Sequence, residues 1–160
     1  DLYEFPSECY TKGAKLISFD YQRLLPESKN NNYIHAVRLQ KELRKKGATE
    51  VLFTSGGKIL ECSTANFFIF KGATLITAKD NILKGITRKI ILKMARKKFK
   101  VEERDVKITE LDSASEAFAS STNKNVMPII NIDGGKIGSG QVGENTKWLM
   151  EEYRKYTKKY

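Results

Sequence analysis

The sequence is poor in the residues that build metal centres, disulfide frameworks and hydrolytic triads: its 160 residues include two cysteines, one histidine and one tryptophan. Cys9 and Cys62 lie far apart and lack CxxC or histidine-rich spacing. They read as reduced thiols, and neither a disulfide scaffold nor a metal site is expected. The sole histidine, His35, has no Ser or Cys nucleophile in a recognisable elbow, which leaves a catalytic triad unsupported and makes a helix-surface position the simpler reading. No apolar run approaches the roughly 20 residues of a membrane helix. The acidic start DLYEFPSE has neither a basic n-region nor an apolar h-region. A soluble, unsecreted, cytoplasmic protein is therefore expected, without a membrane partner. Internal repeats and low-complexity tracts are absent.

Acidic side chains are the minority: 19 Asp and Glu face 29 Lys and Arg, for a net charge of +10. Such a balance suits nucleic acid, an anionic membrane or a small acidic ligand. The basic clusters at 44–46, 88–100 and 154–159 all fall on segments with helical apolar spacing, so they read as solvated helix faces. A basic nucleic-acid-binding module remains a rival of a different class. No RNA-binding aromatic motif or helix-turn-helix pattern supports it, and nucleic acid is not expected as a partner.

What is present suits one domain. At 160 residues and 40% hydrophobic, the chain can bury roughly two-thirds of its unfolded surface. A linker over 1–13, with Pro6 and Gly13, enters an apolar and aromatic strand at 14–21. A first helix is predicted over 33–46, where Ile34, Val37, Leu39 and Leu43 approach helical spacing and Gly47 supplies a C-terminal cap. Short β-branched and aromatic runs at 51–54, 58–61, 66–71 and 74–77 read as hairpin-linked strands. A second helix is predicted over 88–99, capped by Thr87, with Ile90, Ile91, Met94 and Ala95 as its apolar stripe. Strands are predicted at 101–106, 117–120 and 126–132, with a helical turn near 109–113 between the first two. A last helix starts at Glu144. This order suits a mixed α/β domain with an antiparallel component.

One motif misleads. GSGQVG at 138–143 matches G-x-G-x-x-G and precedes a helix. However, no second parallel strand follows it, and no acidic residue lies about 20 positions on to hold a ribose.

Four other segments agree in order and spacing with one family. They are KNNNY at 29–33, ILECSTANFFIF at 59–70, ILKGITR at 82–88, and SEAFASSTNKNVMP at 115–128 followed by IDGGKIGSGQVG. Together they resemble the class IV aminotransferases, the fold-type IV pyridoxal 5'-phosphate (PLP) enzymes, which include branched-chain and D-amino acid aminotransferases and 4-amino-4-deoxychorismate lyases. The resemblance covers nearly the whole chain. It implies an α/β fold with a mixed, largely antiparallel pseudo-barrel sheet flanked by helices. It also implies an enzyme that moves an amino group from an amino acid to a 2-oxo acid, with the lyase reaction as the alternative within the family.

The resemblance assigns roles residue by residue. Lys29 forms the Schiff base with PLP and moves the proton. Glu61 faces the pyridine nitrogen, where a carboxylate keeps that nitrogen protonated. Ile86 and Thr87 offer backbone amides to the phosphate at a helix N-terminus, a preferred anion site. Ser121 and Thr122 add hydroxyls there, and Tyr33 reaches the cofactor's phenolic oxygen. Each role has a blander counterpart in the residues alone: a solvated lysine, an outward strand carboxylate, a turn and cap, loop hydroxyls, an inward-packing aromatic. The resemblance further implies a homodimer, and a smaller N-terminal domain ahead of residues 14–160 that supplies an arginine to the phosphate. On that reading the chain starts in the interdomain linker as a fragment of a longer protein. Lys84 departs from the proline common in the third motif.

Overall fold

The computed structural model describes residues 5–29 and 33–159. The run Asn66–Lys71 (β4) is apolar without alternation because both of its faces are buried. Phe67 and Ile69 enter one core, while Phe68 and Phe70 enter another. Such a strand needs packing partners on both sides, and this requirement sets the architecture. β4 lies in a ten-stranded sheet whose inner face wraps one core and whose outer face carries helices.

The other strands are Ala14–Asp20 (β1), Glu50–Ser55 (β2), Lys58–Cys62 (β3), Thr74–Thr77 (β5), Lys100–Glu103 (β6), Val106–Lys107 (β7), Glu116–Ser121 (β8), Asn125–Ile132 (β9) and Gly135–Lys136 (β10). Their spatial order is β6-β5-β4-β8-β9-β1-β2-β3-β7, with β10 beside β9. Pairing is antiparallel except at β1–β2, β1–β9 and β5–β6. Ile76 of β5, near one end of this path, shares the inner core with Ile59 of β3 and Val106 of β7 at the other end. Those contacts require the sheet to curl round on itself, in keeping with the pseudo-barrel expected from the sequence.

The helices are Glu8–Thr11 (α1), Ile34–Arg38 (α2), Gln40–Lys46 (α3), Ile86–Ala95 (α4) and Glu144–Thr157 (α5), together with a 3-10 helix at Ile108–Ser113. α4 and α5 cover the outer aromatic layer, in which Phe68 and Phe118 stack at 4.6 Å and Phe99 meets Trp148 edge-on. Each such aromatic pair contributes about 0.5–1.5 kcal/mol beyond the area it buries. α3 places Leu43 against Ile17, Val51 and Phe53 on the outer side of β1 and β2.

Several elements differ from the sequence expectation. The helix expected over 33–46 is two helices broken at Leu39. Leu39 and Leu43 turn toward the sheet, whereas Ile34 and Val37 stay exposed, so the four apolar residues do not share one stripe. Gly47 does end α3, in the left-handed conformation at φ 59°. Thr87 is not the cap of α4. The helix starts earlier, from Gly85 in extended geometry, and stops at Ala95. The strand expected over 101–106 is interrupted at Arg104 and Asp105, and the short α1 and β10 gave no periodic signal. No described helix is long and apolar enough to cross a membrane.

Candidate active site

Glu61 sits near the end of β3 and is only 4% exposed. A buried carboxylate needs charge-assisted partners to stay ionised. Arg23, in the loop after β1, supplies two: its Nε and Nη2 donate to Glu61 Oε1 at 2.8 and 2.6 Å. The Leu83 amide donates to Oε2 at 3.0 Å. Burial pushes the Glu61 pKa up, and the Leu83 amide and Arg23 pull it back. The charge on Glu50 adds a smaller upward push. The Arg23 Nη2 also donates to the Pro26 carbonyl at 2.7 Å, which fastens the loop that carries Lys29.

Leu83 links this carboxylate to α4. Its carbonyl accepts from Asn66 Nδ2 at 2.7 Å, and a Cβ added at Gly85 would stand 2.8 Å from Asn66 Oδ1. Any larger residue at the N-terminal boundary of α4 would thus have to displace the Asn66 amide. No acidic side chain occupies the first turn of α4, and no side chain caps it, so its leading amides keep their capacity for an anion. Buried Arg88 pins that turn from behind, donating to the Ala78 carbonyl and to Glu103 Oε2, both at 2.9 Å.

In the sheet register Asn66 stands opposite Ser120, at the end of β8. Ser120 Oγ is buried and has no hydrogen-bond partner. An orphaned donor one strand from an uncapped helix N-terminus fits a phosphate, which accepts several donors at once.

The structure therefore gathers Glu61, Ile86, Thr87 and the end of β8 through the chain Arg23, Glu61, Leu83, Asn66, Gly85. Thr87 is buried, and Ile86 is 79% exposed. Ser121 directs its Oγ to Asn123 Oδ1 at 2.8 Å, and Thr122 is exposed in the same turn. Lys29 and Tyr33 are exposed in the loop between β1 and α2. No hydrogen bond or ion pair of the described residues joins either one to Glu61. Asn30 to Asn32 of the KNNNY motif lie outside the described residues. Sequence reasoning missed Arg23, Asn66 and Ser120. Asn66 lay inside a quoted motif and could have been singled out. Arg23 carries no local pattern, and its partner is distant in sequence.

Residues 3–132 match the family profile described as amino-transferase class IV. A probable branched-chain-amino-acid aminotransferase of Aquifex aeolicus is 37% identical over 76% of this chain and 40% of its own length. A D-alanine aminotransferase of Listeria monocytogenes is 33% identical over 88% of this chain and 50% of its own length. The chain thus spans about half the length of the curated relatives it matches. Among solved structures, a T.th. branched-chain amino acid aminotransferase with pyridoxamine 5'-phosphate superposes with a TM-score of 0.85 at 26% identity, over 96% of this chain and 53% of that one. The Escherichia coli branched-chain amino acid aminotransferase gives a TM-score of 0.84 at 26% identity, over 94% and 53%. The resemblance carried by the four sequence segments, the curled mixed sheet and these matches agree, and the chain belongs to the class IV aminotransferase family.

Proposed function

We propose that the full protein is a PLP-dependent aminotransferase that moves an amino group from an amino acid to a 2-oxo acid, with Lys29 as the covalent anchor of the cofactor. The observation that carries this reading is Glu61: a buried carboxylate, held by a guanidinium and a backbone amide, next to a helix N-terminus without an acidic partner. When bound, the cofactor supplies an electron sink for the carbanion formed at the substrate α-carbon.

This chain's own residues do the rest. Glu61 sets its carboxylate at the ring nitrogen and holds a proton there, and the Leu83 amide and Arg23 draw its pKa down against the upward push of burial. The amides of Ile86 and Thr87, at the positive end of α4, receive the phosphate, with the hydroxyls of Ser121 and Thr122 as further donors. The Lys29 amine attaches the cofactor and, once displaced by substrate, moves a proton at the α-carbon. Tyr33 serves the phenolic oxygen. Arg23 ties the Lys29 loop to Glu61, so anchor and carboxylate share one tether. The same reading includes a cytoplasmic homodimer whose partners are small amino and 2-oxo acids.

Borohydride reduction of the PLP-loaded full-length protein, followed by peptide mass mapping, tests the anchor. The expected result is one adduct on Lys29, with loss of the visible absorption band in Lys29→Ala. Adducts scattered over many surface lysines would overturn it. Product analysis with branched-chain amino acids, D-alanine and aminodeoxychorismate then tests the reaction, and formation of pyruvate and 4-aminobenzoate from the last would replace transfer by elimination.

A further inference from the structure

A second charged cluster lies beside the site, and apart from the small upward push of Glu50 on the Glu61 pKa it has no part in the chemistry above. Lys124, in the turn between β8 and β9, is 2% exposed. A lysine so deeply buried has to be compensated. Its Nζ donates to Thr64 Oγ1 and pairs with Glu50 Oε2 at 3.3 Å. Glu50, at the start of β2, is itself buried, and its Oε1 accepts from Ser63 Oγ at 3.0 Å, from Thr64 Oγ1 at 2.7 Å and from the Thr64 amide. The Phe5 ring lies 4.9 Å from the Lys124 ammonium, and Tyr10 OH donates to the Lys124 carbonyl at 3.2 Å.

The location gives the cluster its meaning. Ser63 and Thr64 follow Glu61 in the β3–β4 connection, and Lys124 closes the turn that carries Ser121 and Thr122. Glu50 and Lys124 therefore clamp the segment leaving the ring-nitrogen carboxylate to the turn that offers hydroxyls to the phosphate. We propose that Lys124 and Glu50 are positioning residues, which hold the 121–124 turn at the phosphate end of the cofactor site through Thr64. The pair touches neither cofactor nor substrate. Its role is to fix where the β8–β9 turn stands, because a turn tied by one buried charge pair and a bridging hydroxyl has little freedom to drift.

This inference rests on the PLP reading, and the experiment separates the two. The affinities of the full-length protein for PLP and for pyridoxal, which lacks the phosphate, are measured by absorption titration. Lys124→Met is compared with the double variant Glu50→Gln/Lys124→Met, which removes both charges and leaves none buried alone, so that it folds if the single variant does not. The expected result is a loss of PLP affinity of about tenfold or more, the size of one charge-assisted phosphate contact, with pyridoxal affinity unchanged. Equal weakening of both ligands, or of neither, overturns the positioning role. If the wild-type protein binds PLP no better than pyridoxal and carries no adduct on Lys29, the cofactor reading falls and the positioning role falls with it.

Discussion

The two charges of the Arg23–Glu61 pair are 11% and 6% exposed at the side chain. Removing one partner leaves the other desolvated and unpaired, at a cost of about 3–5 kcal/mol. Arg23→Met and Glu61→Gln are each expected to lose about that much stability in urea unfolding, and the double variant is expected to recover most of it, because two neutral side chains leave no buried charge. Arg23→Met has a second consequence. Arg23 pulls the Glu61 pKa down, so without it Glu61 stays protonated to higher pH, and the acid limb of PLP affinity is expected to move upward on a pH titration. These residues also show where sequence reading stops. Glu61 was legible because flanking residues carried the resemblance. Arg23 and Lys124 were not, because a surface lysine and a buried one look alike in composition, and their burial is decided by partners 38 and 60 residues away.

Among the elements, the N-terminus of α4 gives the sharpest separation of stability from binding. Ile86 is exposed at the helix start, where a carboxylate interacts favourably with the helix dipole by about 0.3–1 kcal/mol. Ile86→Asp is expected to raise the unfolding midpoint of the cofactor-free protein slightly and to weaken PLP binding at least tenfold, since the introduced carboxylate takes up the donors and repels the phosphate. Thermal melts and absorption titration read the two effects. Losses in both would show that Ile86 packs rather than faces an anion. Most strands were legible because β-branched and aromatic runs are separated by glycine turns, as at β4 and β5. The ends of α4 were less legible. Thr87 resembles a cap, but its side chain is buried, and the turn through Leu83 to Gly85 starts the helix earlier through contacts with β4. The break at Leu39 was hidden because spacing alone does not say which apolar residues reach the sheet.

For the molecule as a whole, Glu110 in the 3-10 helix joins distant parts of the sheet. Arg104 Nη1 and Nη2 donate to it at 2.8 and 2.9 Å, Lys71 Nζ at 2.9 Å and the Lys107 amide at 3.0 Å. The paired Arg104 guanidinium, followed by Lys71 and the amide, holds its pKa well below the ordinary 4.5, against a smaller opposing effect of burial. A depressed folded-state value contributes stability above the unfolded pKa, and that contribution is lost as pH falls through the folded value. Urea midpoints are therefore expected to decline below about pH 4.5 in the wild type, with a shallower decline in Glu110→Gln. Identical slopes would assign the acid sensitivity elsewhere. The order of the strands carries a consequence for biosynthesis. β1 precedes the other nine strands of this sheet in the chain, yet it stands between β2 and β9, pairing parallel with both. A nascent chain can lay β2 beside β1 early, but the other edge of β1 waits until Asn125–Ile132 has left the ribosome. Contacts of such large sequence separation slow folding, and an open apolar edge invites aggregation. A chain arrested before Asn125 thus presents Leu16 and its neighbours as a sticky edge, so expression of this protein should depend on chaperone capacity more steeply than its final stability suggests.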